Sequence, residues 1–189
     1  MSSHASVRPA ASRAGGHVLE VVVPAGDRVI EATLARPAEA VGLVILPGCG
    51  IGRGDPRLRA MAAIMQRAGL ATLLFDLLDP AEARRRSTAF DVREHATRLL
   101  EVVRWTVGEP LVRTLPVGIV ASGTAAATAL DAAAREPAIR AVVGCGARTD
   151  LAADDEAAVT TPVLLLVGER DPDVLALNRG ALGELAGVR

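Results

Sequence analysis

Apolar positions along this chain keep two rhythms, and the alternation between them predicts the elements. Residues 17–23 and 29–35 alternate or run apolar on either side of Pro24-Ala25-Gly26-Asp27, a run of turn formers, and predict an antiparallel hairpin. Later runs at 41–46, 71–75, 117–120, 141–145 and 163–167 are apolar almost throughout, the pattern of strands covered on both faces. Between them the spacing turns helical. Asp55-Pro56 supplies a cap and a first-turn proline, Leu58, Met61, Ala62, Met65 and Ala68 share one face, and Gly69 closes the segment. A longer helix over about 90–107 puts Val92, Ala96, Leu99, Val103 and Thr106 on one stripe, with Glu94 and Arg98 spaced to pair across a turn. His95 stands one step off that stripe, which places it at an exposed or boundary position. An alanine-rich helix over about 124–135 and a last one over about 174–185 complete the series.

Strands separated by helix-length segments imply right-handed crossovers and a parallel sheet. The fold class expected is α/β: a three-layer sandwich with a mostly parallel sheet and an N-terminal antiparallel hairpin. One domain covers residues 17–189, and the polar stretch 1–16 is expected to be a disordered tail without the apolar core of a secretory signal. Ligands of such sheets sit beyond the carboxyl ends of the strands. The loops 47–55, 76–89, 121–124 and 168–173 are therefore the ones that matter.

Composition narrows the chemistry. Half of the 189 residues are hydrophobic and 23% are charged, with a net charge of −1, so neither nucleic acid nor a membrane is an expected partner. No apolar run approaches the ~18–20 residues of a membrane span. All 21 basic residues are arginine, which removes Schiff-base chemistry and the P-loop lysine. Cys49 and Cys145 belong to no C-x-x-C or Cys/His cluster. Two free thiols in a reducing cytoplasm, with no metal and no cofactor, is the expectation. The triplet Arg84-Arg85-Arg86 reads as a solvated face, with anion binding as the alternative.

Three loops carry candidate chemistry. The glycine-rich run 47–54 lets backbone amides near Gly48 and Cys49 approach an oxyanion, or it is simply a tight turn. A dinucleotide fingerprint fails there, because Arg53 and Asp55 occupy the place of the third glycine. Asp171, just past the last strand, either orients a catalytic histidine or caps the final helix. At the strand-to-helix turn, Ser122 is either a nucleophile or the N-cap of the helix that follows. A nucleophile elbow needs small residues two positions to either side of the serine, and Val120 and Thr124 are both β-branched.

Together the hairpin, the PGCG loop, the turn at 116–135 and the segment GERDPDVLALNR resemble the α/β-hydrolase superfamily. The likeness is to dienelactone-hydrolase-like chains, including those fused to phosphoribosyltransferase domains. It covers about residues 18–187, and RAGLATLLFDLL and VLALNRGALGEL are among its best-matching pieces. The resemblance implies a Ser–Asp–His triad that cleaves esters or lactones through an acyl-enzyme. Such relatives read like V-G-L-F-G-A-S-T-G-A-A-A-A-L at the elbow. Laid without gaps on VGIVASGTAAATAL, their serine falls on Gly123 and their flanking glycines on Ala121 and Ala125. Their acid falls on Asp171, and the histidine that often opens their oxyanion loop falls on Pro47. Their base comes from a further strand and loop, and here no histidine follows His95.

The expectation is therefore a hydrolase-type chain, truncated or degenerate, with little or no turnover by itself. If it is active, Ser122 and Asp171 are its catalytic residues, Gly48, Cys49 and Gly123 its oxyanion and substrate-binding residues, and a small ester, lactone or carboxylate its ligand. The alternative is a non-catalytic relative that binds a small anion or a partner protein. Nucleotide binding through Gly48–Gly54 and Asp76 is a third reading. Without the family's last strand, residues 163–167 become an apolar sheet edge, and a homodimer through that edge is expected.

Overall fold

A computed structural model describes residues 8–9, 16–26, 28–49, 52–152 and 158–185. The expected tail 1–16, apart from residues 8–9 and 16, lies outside the described residues, as do Asp27 in the hairpin turn and Gly50 and Ile51 in the glycine loop. After a two-residue β1 (Arg8–Pro9), β2 (His17–Ala25) and β3 (Arg28–Arg36) pair antiparallel along their whole length. β4 (Gly42–Gly48) is buried at every position, as its unbroken apolar run requires. Asp55 caps α1 (Pro56–Arg67) by accepting the Arg57 amide at 2.8 Å, and Gly69, at φ +80°, ends it before β5 (Leu70–Asp76).

The connection at 76–89 is more ordered than its polar sequence suggests. It holds a 3₁₀ turn (Glu82–Arg84) and a single-turn α2 (Arg86–Ala89) before α3 (Val92–Gly108), which Asp91 caps through the Glu94 amide at 3.0 Å. β6 (Val117–Ser122) and α4 (Thr124–Arg135) flank the strand-to-helix turn. β7 (Ile139–Cys145), a 3₁₀ turn (Thr149–Leu151), β8 (Val163–Leu166) and α5 (Pro172–Glu184) follow.

The sheet runs β1-β2-β3-β5-β4-β6-β7-β8. β1, β2, β3 and β5 pair antiparallel in turn, and everything from β5 to β8 is parallel. The chain steps from β4 out to β5 and then back across to β6, so the strand order reverses at β4. A crevice opens at such a point, beyond the carboxyl ends of the strands. On one face Ile45, Leu73, Phe75 and Ile119 join the stripes of α3 and α4 in the main core; on the other, Val44, Leu46, Leu74 and Val120 pack against Leu58 and Ala62 of α1.

One placement differs from the sequence reading. His95 is fully buried rather than exposed or at a boundary. Ala96, Leu99 and Val103 do face the core as the stripe requires, but His95 and Arg98 are buried as well, because the 76–89 connection folds back toward the start of α3 and widens its covered arc.

Candidate active site at the strand-to-helix turn

β6 passes straight into α4 through a single residue. Gly123 takes φ +57° and ψ −125°, a conformation that side chains with a Cβ adopt only under strain. Its amide donates to the Cys145 carbonyl at 3.1 Å, and its carbonyl accepts the Arg148 amide at 3.2 Å, so the turn is fixed from the neighbouring strand and loop. A Cβ placed on Gly123 would meet nothing within 4 Å. The position is open in space and restricted only by its backbone angles.

Ser122 ends β6 one residue earlier, exposed and opposite Cys145 in the register. The N-cap of α4 is Gly123, and no side chain caps that helix, so the reading of Ser122 as the helix cap is overturned. Gly123, not Ser122, occupies the hinge between strand and helix. Among the described residues, Ser122 Oγ has no hydrogen-bond partner.

Ile45 of β4 faces Ile119 of β6 in the parallel register, and Gly48 and Ser122 lie three residues further along each strand. The Gly48–Cys49 backbone therefore ends beside the turn. The Gly48 carbonyl accepts the Leu77 amide at 2.9 Å, which ties this loop to the end of β5. The loop beyond it is pinned a second time. The Arg53 amide donates to Asp76 Oδ1 at 2.5 Å, and its guanidinium reaches Glu20 at 2.8 Å and Glu31 at 2.6 Å. Asp76, a residue the nucleotide reading relied on, is thus engaged by the backbone of its own protein. Burial raises the thiols of Cys49 and Cys145, on either side of β6, above their ordinary range, which keeps both protonated and poorly nucleophilic near neutral pH.

Asp171 lies in the loop after β8, two strands from β6. It is exposed and accepts the Val174 amide at 3.3 Å as the N-cap of α5. No described imidazole joins it to Ser122. His17 opens β2 at the amino-terminal end of the sheet, away from the crevice. His95 is sealed inside α3, where neither ring nitrogen makes a well-formed hydrogen bond. Its pKa is lowered, chiefly by burial; a Thr88 backbone group opposes the shift and the Arg98 charge adds to it. The structure thus gathers Ser122, Gly123, Gly48 and Cys49 at the ends of adjacent strands, with Asp171 in the loop two strands away as the N-cap of α5.

A second polar centre was not anticipated from the sequence. Glu82 accepts two bonds from Arg98, at 2.9 and 3.1 Å, another from the Asp79 amide at 3.1 Å, and one from Arg28. Arg98 also reaches the Leu77 carbonyl at 3.1 Å and Glu94 at 3.3 Å. The Arg98 guanidinium, followed by Arg28, holds the Glu82 carboxyl down at about 2 against its own desolvation. A cavity of about 590 Å³ opens beside this cluster, between the hairpin turn and the end of β5. Arg28, Arg53, Arg85 and Arg98 line it in equal number with Glu31, Asp76, Asp79 and Glu82, so it presents no strong field of either sign. Arg84 and Arg85 are exposed, as a solvated face requires. The signal for Glu82 was present as Asp79-Pro80-Ala81-Glu82. Asp79 accepts the Ala81 and Glu82 amides while Glu82 returns to the Asp79 amide, a reciprocal cap spelled at the expected spacing.

No family model matches the chain. Among solved structures, it is similar to the dienelactone hydrolase of Anabaena variabilis, with 37% identity and a TM-score of 0.87 over 93% of this chain and 85% of that one. Est1E of Butyrivibrio proteoclasticus (15% identity, TM-score 0.71, 90% and 86% of the two chains) and an acetyl xylan esterase of Paenibacillus (13%, 0.75, 98% and 81%) share the fold. A Mycobacterium tuberculosis protein bearing the name phosphoribosyl transferase is 43% identical over 171 residues, 89% of this chain. The chain spans 38% of the length of that relative. Among the described residues, no helix is long and apolar enough to cross a membrane.

Proposed function

The chain belongs to the dienelactone-hydrolase family of α/β-hydrolases, and on that premise we propose that it is an ester- or lactone-hydrolase scaffold whose own catalytic machinery is incomplete. It recognises a small ester, lactone or carboxylate in the crevice at the end of β6 and turns it over weakly or not at all. The observation that carries this reading is Gly123. It holds the strained turn angles between strand and helix, it is the position on which the resemblance lays the family's serine, and it has no hydroxyl. The exposed Ser122 precedes that position, and among the described residues no imidazole lies beside it. Removing one triad member from a serine hydrolase leaves only about 10³–10⁴-fold acceleration over water, from the oxyanion site and binding. Support for retained binding comes from the Gly48–Cys49 backbone, held beside the turn by the Leu77 amide. A cytoplasmic setting accompanies the proposal and is consistent with Cys49 and Cys145 both being free.

Hydrolysis of p-nitrophenyl acetate by the purified chain and by Ser122→Ala tests the catalytic half. The expected rates are equal to each other and orders of magnitude below that of a complete triad. Robust turnover that disappears in Ser122→Ala would overturn the proposal. Thermal shift against small carboxylates tests the binding half: a rise in Tm without turnover supports a ligand-binding crevice, and no shift with any of them removes it.

A further inference from the structure

Among the described residues β8 is one of the two edge strands of the sheet, and its exposure is unlike that of the other parallel strands. Leu164 is 54% exposed and Leu166 49%, both on one face, while Val163 and Leu165 pack partly into the core on the other. Between Thr161 and Gly168 there is no charged side chain. Natural edge strands are usually protected by a charge, a bulge or a proline that removes an outward donor. Pro162 does not serve in that way. The Val142 amide donates to the Pro162 carbonyl at 3.0 Å and the Gly146 amide to the Leu166 carbonyl at 2.7 Å, so the even-numbered residues of this strand turn their backbone toward β7. The N–H and C=O groups of Val163 and Leu165 therefore point outward, and the N–H that Pro162 lacks belongs to the inner side.

We propose that β8 pairs antiparallel with β8 of a second copy of this chain, about a two-fold axis through Leu165. The symmetry selects this partner. An axis perpendicular to the sheet sets the two strands antiparallel and keeps every side chain on its own face, so residues of like parity oppose each other. With Leu165 opposite its own copy, the outward groups of the two Leu165 residues exchange both hydrogen bonds. Val163 then meets Val167 of the second copy. On the exposed face Leu164 lies across from Leu166 of the second copy, and Leu166 across from its Leu164, so four half-exposed leucines close into one apolar patch. The uncharged edge meets an identical uncharged edge, with no buried charge on either side. The contact is small for a stable complex, and its dissociation constant is expected in the micromolar range.

Sedimentation equilibrium over a range of concentrations tests this, with far-UV circular dichroism to show that each variant is folded. The wild-type chain is expected to reach twice its 19.5 kDa mass at high concentration. Leu164→Lys with Leu166→Lys sets like charges opposite each other and should weaken association at least about tenfold. Leu164→Lys with Leu166→Glu sets each lysine across from a glutamate of the second copy and should restore it. Both positions are exposed, so neither pair of substitutions opens the core. A wild-type monomer at every concentration, a dimer that survives the double lysine, or a folded Lys/Glu variant that stays monomeric would each overturn the proposal.

Discussion

Two polar regions lie at the carboxyl ends of the strands, and they are built on opposite rules. Around Glu82 the charges are buried and matched: Arg98 alone gives the carboxylate two bonds, and the Asp79 amide and Arg28 add others. At the end of β6 the polar groups are exposed and unmatched. Ser122 Oγ has no described partner, Gly123 has no side chain, and Asp171 is engaged two strands away by its own helix. Catalytic sites hold their groups in place by mutual hydrogen bonds, so that geometry survives thermal motion. Here that kind of mutual support is found in the structural cluster, and among the described residues the side chains at the end of β6 show none of it.

The contrast is sharpest for Arg98→Ala. Removing one partner of a buried pair leaves the other charge desolvated, and such changes cost about 3–5 kcal/mol. Arg28 remains to hold Glu82 from the solvent side, so the lower half of that range is expected. Urea denaturation measures it, and a loss under about 1 kcal/mol would mean the cluster is not the stabilising centre its geometry indicates.

Acid should reach the same cluster through Glu82. Its carboxyl is depressed from 4.5 to about 2 in the folded chain. A carboxyl lowered by folding contributes stability above its unfolded pKa, and that contribution is lost as pH falls from there toward the folded value. Between pH 7 and pH 3 the stability advantage of wild type over Glu82→Gln should shrink by about 2 kcal/mol. An advantage that stays constant over that interval would show that Glu82 titrates as an ordinary carboxylate.

How far the sequence reached follows the same division. Elements set by local chemistry were legible: Asp55-Pro56 and Gly69 bound α1, and the alanine-rich run spans Thr124–Arg135 as read. The position of the strand-to-helix turn at Ser122 and Gly123 was legible too. What the apolar pattern could not show was a second wall on α3. A stripe counts one interface, and His95 and Arg98 are covered by the 76–89 connection, whose own sequence is polar. The reciprocal cap Asp79–Glu82 could have revealed that this connection folds. The cap reading of Ser122 fails because it rests on serine being the commoner capping residue, whereas the turn at Gly123 is set by backbone angles that favour glycine.

Gly123→Ser tests the elbow directly. An added Cβ meets nothing within 4 Å, so the penalty is the backbone conformation alone, about 1–2 kcal/mol. The variant should fold, melt lower than wild type, and hydrolyse p-nitrophenyl acetate no faster than the wild-type chain, because the hydroxyl gains a place without gaining a base. A variant as stable as wild type would show that Gly123 relaxes out of the strained angles.

The smallest effect is expected at Ser122→Ala. The hydroxyl is exposed, is bonded to no described group and caps no helix, so its removal takes away neither a buried contact nor a satisfied donor. Surface substitutions of that kind stay within about 0.5 kcal/mol. Set beside a loss several times larger at Arg98, a neutral result would mean that the exposed serine at the end of β6 does not support the fold. A loss of 1 kcal/mol or more would instead mean that Ser122 holds a partner outside the described residues. The turn would then be a second organised polar centre, and the contrast with the Glu82 cluster would no longer stand.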